Sequence, residues 1–251
     1  MSDTLVRAGV SLHGVLRDIE DLVQLDGPSQ DAIGSKKVIV RFDVPGLTPL
    51  NLRFFKGHCK AFSGHQGHRD IHLRFVSPQH FLAMMNGTKQ PIPVKGFTKL
   101  GFMTKEFSVL ADRLSHYLRY DPTNLEDNYR TNSTILSAYA AFFGLAQVAN
   151  LSHLGQVITR QIEDGDVDIE VVGGPCLHLN FKGGRCKTIK GLSADPKARM
   201  IFQDLNVAGQ ILMGERDSFA AIGCGELAIW GRVPMIDQIN KLLGLLPAYL
   251  S

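Results

Sequence analysis

The stretch "FKGHCKAFSGHQGHRDIH" (55–72) concentrates residues that could bind a metal. It carries His58, His65, His68 and His72, four of the chain's nine histidines, together with Cys59. Imidazole nitrogen and thiolate are the ligands zinc prefers, and close spacing is how a local zinc site is written. The first question is whether this is the protein's chemistry or the composition of a loop.

An internal comparison bears on it. "FKGHCKAFSG" (55–64) resembles "FKGGRCKTIKG" (181–191). Phe55, Lys56 and Gly57 match Phe181, Lys182 and Gly183, one residue is inserted, and Cys59, Lys60 and Gly64 then match Cys186, Lys187 and Gly191, 127 residues on. The same offset pairs Phe75 with Phe202, Gly87 with Gly214, Gly96 with Gly223, Leu100 with Leu227, Phe102 with Ile229 and Met103 with Trp230; upstream, Pro49 matches Pro175. A fixed period marks a duplicated unit. Through it His65 faces Leu192, His68 faces Asp195, His72 faces Arg199, and His58 faces Gly184 or Arg185. The halves therefore share no histidine site, and neither a metal nor another cofactor is expected. "SGHQGH" has the composition of a polar turn; a site private to the first half is the alternative. Cys59 and Cys186, which persist in both copies, read as small buried apolar residues, against reactive thiols.

The elements that carry these residues follow from pattern. In the first copy, strands are expected at 36–44, 49–57, 58–64 and 70–76, a short helix at 77–87 with Ser77 as N-cap and Pro78 in the first turn, a strand at 96–104 and a closing helix at 105–119. The second copy repeats the order, with strands at 166–172, 176–183, 185–190, 198–203 and 223–231 and helices at 204–214 and 234–246. Each copy has a helix in front. Residues 4–25 are amphipathic. From Thr131 to Thr159 there is no Asp, Glu, Lys or Arg, and 135–151 is nearly all apolar. That segment reads as a buried helix, with a membrane span and an interfacial or lid helix as alternatives. The result is an α+β chain with two domains, 1–125 and 131–251, helices segregated from the sheet in each.

Bulk composition sets the class. The chain has 251 residues, 44% of them hydrophobic, enough for a substantial core. A net charge of +3 with mixed signs gives no nucleic-acid footprint. Four cysteines do not make a disulfide scaffold. The first 26 residues carry Asp3, Asp18, Glu20 and Asp21 and do not read as a signal peptide, so a cytoplasmic location is expected. No nucleophile triad, P-loop or dinucleotide fingerprint appears, and a non-enzyme is expected.

At the last strand and helix the sequence resembles a known family. "RMIFQDLNVAGQILMGERDSFAAI" (199–222) and "AAIGCGELAIWGRVPMIDQINKLLGLL" (220–246), with Gly225, Leu227, Ile229 and Gly231 in the strand, are similar to the sterol carrier protein 2 (SCP2) family. The likeness covers about 166–250; the first copy looks like a more divergent member, with Thr98 and Thr104 in place of Gly225 and Gly231. The resemblance implies two units, each a five-stranded sheet covered on one face by helices, joined by the apolar helix. It also implies non-catalytic binding or transfer of a hydrophobic small molecule: a fatty acid, acyl-CoA, sterol or isoprenoid-like lipid. Candidate lining residues are Phe75, Phe81, Met84, Met85, Phe102 and Met103 in the first copy, and Phe202, Ile211, Leu212, Phe219, Ile229 and Trp230 in the second. Alternate strand positions point opposite ways, so neighbours such as Ile229 and Trp230 cannot both face one interior. A transient membrane contact fits a lipid carrier. The alternative is a scaffold with closed interiors that acts through a protein partner.

Overall fold

The computed structural model describes residues 3–124, 126, 128–212 and 214–250. Met213, inside the helix expected at 204–214, and residues 1, 125 and 251, at the expected domain limits, lie outside this set. Arg7–Asn132 form one compact unit; the chain from Ser133 onward, with the residues up to Val6, forms the other.

α1 (Asp3–Val10), which belongs to the first unit from Arg7 on, continues through a π-helical turn and a 3-10 turn into α2 (Ile19–Leu25). Asp26 then caps α3 (Gly27–Ile33), accepting from the Ser29 backbone N–H at 2.9 Å. Five strands follow: β1 (Lys37–Asp43), β2 (Leu50–Phe55), β3 (His58–Ser63), β4 (Ile71–Arg74) and β5 (Ile92–Lys95), with α4 (Pro78–Met85) before β5 and α5 (Gly101–Thr104) and α6 (Glu106–Leu118) after it. The sheet order is β3-β2-β1-β4-β5, and β1 pairs parallel with β4. α7 (Tyr129–Leu151) and α8 (His153–Thr159) lead the second sheet of β6 (Gly165–Val171), β7 (Cys176–Lys182), β8 (Arg185–Lys190), β9 (Pro196–Phe202) and β10 (Leu227–Gly231). Its order, β10-β9-β6-β7-β8, with β6 parallel to β9, is the same topology. α9 (Leu205–Leu212) and α10 (Ser218–Gly223) precede β10, and α11 (Val233–Leu245) follows it. The chain is thus α+β, two five-stranded sheets each packed with helices.

Strand registers settle how the copies correspond. Phe55 pairs with His58 at the end of the β2–β3 hairpin, and Lys182 with Arg185 at the end of β7–β8, so the hairpins align at 127 without an inserted residue. Phe54, not Phe55, is the counterpart of Phe181, and Pro49 that of Cys176. The two-residue turns have the left-handed φ values such hairpins require, 47° and 73° at Lys56 and Gly57, 58° and 70° at Gly183 and Gly184.

The strand expected at 96–104 is not formed. Residues 97–99 are a 3-10 turn and 101–104 are α5; the fifth strand lies earlier, at β5. Pro91 and Pro93 hide it from a propensity reading, but proline is tolerated on an edge strand, where β5 lies. Gly96 is consequently the counterpart of Gly231, not of Gly223. Both have left-handed φ, 90° and 78°, and both press against the preceding strand, where an added Cβ would strike the carbonyl of Asp70 or of Lys197. The first copy lacks a helix like α10 before its last strand and has residues 97–104 after it. The offset of 127 is therefore lost at β5 and regained at α6, which aligns with α11. The pairings of Leu100 with Leu227, Phe102 with Ile229 and Met103 with Trp230 do not hold.

α7 is long and apolar enough to cross a membrane by length and composition, yet most of it is buried. Phe142, Leu145, Ala146 and Ala149 join the core of the second unit. Asn150 pairs with the backbone of edge strand β8, donating to the Cys186 carbonyl at 2.7 Å and accepting from the Cys186 N–H at 3.0 Å. Such a side-chain cap occupies an edge that would otherwise be open. Cys186 is buried, which pushes its thiol pKa up; Cys59 is buried at the matching place.

Two predictions follow from these placements. Gly96→Ala and Gly231→Ala should each cost about 2–4 kcal/mol, since backbone strain and a carbonyl clash add, whereas Gly87→Ala, also at positive φ but facing open space, should cost about 1 kcal/mol; thermal unfolding compares the three. Second, His13, in the π-helical turn, is buried with Nε2 2.9 Å from the Thr48 carbonyl. Burial pushes its pKa from 6.5 to about 4; the Thr48 contact opposes the shift and the Arg17 charge adds to it. The unfolded chain therefore binds the extra proton first. This contribution to stability is complete above pH 6.5 and falls as pH drops towards 4, by about 3 kcal/mol in all. His13→Gln, which keeps an N–H at the ε position, should flatten that slope in unfolding measured at pH 7 and pH 5.

Candidate functional site

The histidine-rich segment is a crossover. The chain leaves edge strand β3 and must reach β4, on the far side of β2 and β1. Residues 64–70 make this passage against the outer face of the sheet, away from Val40 and Phe42, which point into the core. Their backbone carbonyls need donors there. Buried Arg41 donates through Nη2 to the Gln66 carbonyl at 3.0 Å and through Nε to Asn51 Oδ1 at 2.8 Å; Asn51 Nδ2 donates to the Gly64 carbonyl at 2.9 Å. His72 Nε2 lies 3.2 Å from Asp43, and exposed His68 lies 3.4 Å from Asp70. Burial lowers the His72 pKa; the Asp43 hydrogen bond only partly offsets it. Among the described residues no group of three or more His, Cys, Asp or Glu is placed to hold a metal ion.

The second copy fastens the same crossover with other chemistry. His178, in the place of Asn51, bonds through Nδ1 to the Gly191 carbonyl at 2.8 Å. Asp168, in the place of Arg41, is also buried, but it accepts from the Ser193 backbone N–H at 2.9 Å and faces Arg199 at 3.5 Å. Burial works against charge on neighbouring Asp166, but Ser193 Oγ and Asn180 Nδ2, each at 2.6 Å, outweigh it and hold the carboxyl pKa below its ordinary value. A buried cation does in one half what a buried anion does in the other.

The candidate lining residues divide between the opposite, helix-covered faces and the surface. In the first unit Phe75 and Phe81 meet edge-on with centroids 5.1 Å apart, and Phe102, from α5, lies 5.1 Å from Phe54. All three candidates are buried, so their rings fill the core. Met84, Met85 and Met103 are half-buried. In the second unit Phe202 is in the core. Ile211 and Ile229 pack on that core while remaining partly exposed, and Leu212 is half-buried. Phe219 and Trp230 stand out from it, 71% and 70% exposed. In the β9–β10 register Ile229 pairs with buried Met200 and Trp230 with Arg199, so of the two neighbours it is Ile229 that faces inward.

Leu205, Ile222 and Leu243 escaped the sequence reading. Like Ile211 and Ile229, each of these aliphatic side chains, drawn from α9, α10 and α11, packs on the core and keeps part of its surface in water. The signal for α10 was present in Asp217, whose side chain caps it by accepting from the Ala220 N–H at 2.9 Å.

No family model matches the chain, and no curated protein matches it. Solved structures do. A structure titled UbiJ-SCP2 ubiquinone synthesis protein is 19% identical, over 44% of this chain and 94% of its own, with a TM-score of 0.35. Sterol carrier protein 2 from Yarrowia lipolytica, in its apo form, is 15% identical over 44% and 91%, also with a TM-score of 0.35. The sec-alkylsulfatase Pisa1 from Pseudomonas sp. is 14% identical over 58% of this chain and 28% of its own, with a TM-score of 0.27. The first two likenesses each span less than half of this chain.

Arg41→Met should destabilise the first unit by about 3 kcal/mol, because it leaves the Asn51 side chain and the Gln66 carbonyl without their buried donor. Hydrogen exchange should show loss of protection in β1, β2 and β4, with β6–β10 unchanged.

Proposed function

We propose that this protein binds a lipid or other hydrophobic small molecule in its second unit, without changing it chemically. The observation that carries the reading is that Leu205, Ile211, Ile222, Ile229 and Leu243 pack on the core of the second unit and yet each keep part of their surface in water; the reading takes them as one aliphatic seam. Each methylene of an acyl chain buried against such a surface contributes about 0.8 kcal/mol. The reading is of the same kind as the one the sequence resemblance implies. A fatty acid, an acyl-CoA, a sterol and an isoprenoid-like lipid all present the flexible or flat apolar surface that the seam would cover. The first unit has a different part: its aromatic candidates, Phe75, Phe81 and Phe102, are spent on the core, which favours a closed scaffold there.

Titration with cis-parinaric acid, a fluorescent fatty acid, tests this. Saturable binding to the whole protein is expected. Ile229→Lys should weaken it roughly tenfold or more, since a charge placed in the apolar contact must be desolvated. Ile222→Trp, which fills the seam without charge, should weaken it too and guards against a fold lost to the first change. Phe81→Ala, in the first unit, should cost about 3–5 kcal/mol of stability and leave affinity unchanged. Trp230 already sits in water and should keep its emission on binding. No binding, or binding indifferent to both seam variants in folded protein, overturns the reading.

A further inference from the structure

The two copies differ in charge around the displaced fifth strand. Residues 71–105 contain no Asp or Glu and carry Arg74, Lys89, Lys95, Lys99 and Lys105, a net charge of +5; the matching window 198–232 has three basic and four acidic residues, a net charge of −1. The basic window also exposes apolar side chains. Ile92 and Val94, on edge strand β5, are 46% and 49% exposed, and Phe97, just beyond it, is 66% exposed. Ile92 pairs with Arg74 across the β4–β5 ladder, which puts the apolar and basic side chains on one edge of the sheet.

The acids nearest this edge are already engaged. Lys99 holds Asp70 at 2.5 Å, Lys36 holds Glu106 at 2.9 Å, and Asp43 meets His72. Lys95 donates to the Arg69 carbonyl and keeps its charge at the surface. An exposed strand edge usually invites another strand, but Pro91 and Pro93 remove the N–H groups such pairing needs. What remains is exposed lysine interleaved with exposed apolar side chains, complementary to a negatively charged, apolar-cored surface.

We infer that this edge of the first unit docks on an anionic lipid bilayer, with Phe97, Ile92 and Val94 entering the headgroup boundary and Arg74, Lys89, Lys95 and Lys105 facing lipid phosphates. The inference stands apart from ligand binding by the second unit, since a chain that carried no lipid would still present this edge.

Flotation with vesicles tests it. The full chain should bind vesicles of phosphatidylcholine with phosphatidylglycerol, should not bind phosphatidylcholine alone, and should release as salt is added. K89Q/K105Q should weaken binding roughly twenty- to thirtyfold, at roughly fivefold for each charge near the surface. Phe97→Ser, at an exposed position, should weaken it roughly tenfold while circular dichroism is unchanged. Trp230→Ser, the exposed aromatic of the second unit, should leave it as in the unaltered protein. cis-Parinaric acid binding by the same variants should not move, which separates this inference from the ligand reading. Absence of binding at low salt, equal binding to both vesicle types, or undiminished binding by a folded K89Q/K105Q protein overturns it.

Discussion

Each sheet depends on a short crossover. The chain must pass from an edge strand, over two neighbours, to a parallel partner of the first strand. Three strand spacings amount to about 14 Å, and seven residues reach at most roughly 25 Å. A helix does not fit in residues 64–70, and still less in the five residues 191–195. The passage is therefore bare backbone laid on a sheet face, and its polar groups must be met from below. Arg41 and Asn51 do this in one unit, Asp168 and His178 in the other. These bonds fasten the passage that brings β4 beside β1 and β9 beside β6, where parallel ladders take over. α4 and α9, the last strands and the seam all follow from β4 and β9.

Much of this was legible in the sequence. β-branched runs with period-two alternation marked eight of the ten strands to within about two residues, and Ser77 with Pro78 marked α4. The duplication was legible because the loop chemistry around Cys59 and Cys186 repeats. β5 was not, because its prolines argue locally against a strand and only its place at a sheet edge permits them. The hairpin turns were misaligned by one because "FKG" occurs in both copies, while pairing follows the inward Phe54 and Phe181 instead of the repeated letters.

The placement of the candidate side chains was half legible for a related reason. Apolar residue type picked out Phe202, Ile211, Leu212 and Ile229, which lie in the core or are partly buried, but facing depends on register. Trp230 and Phe219 have the composition of a lining and the position of a surface. The polar network on the outer face was invisible, because Arg41 with Gln66 and Asp168 with Ser193 are partners only once the crossover is in place. The histidines that first attracted notice take part mainly as solvated loop residues, with His72 alone drawn into the sheet's polar face.

The opposite signs of Arg41 and Asp168 bear on how a chain written twice avoids confusing its own halves. During folding, strands of similar pattern on one polypeptide compete for the same neighbours, and exchange between them is a known route to misassembly. Here an exchanged crossover would bring the carbonyl of Gln66 over a carboxylate, or the N–H of Ser193 over a guanidinium, at a partly buried place on the sheet. Either error buries a charge against a like-signed dipole. Opposite charges in the two clasps would therefore favour each half's own return strand over its sibling's, so that a message written twice along one chain would still sort into two separate sheets.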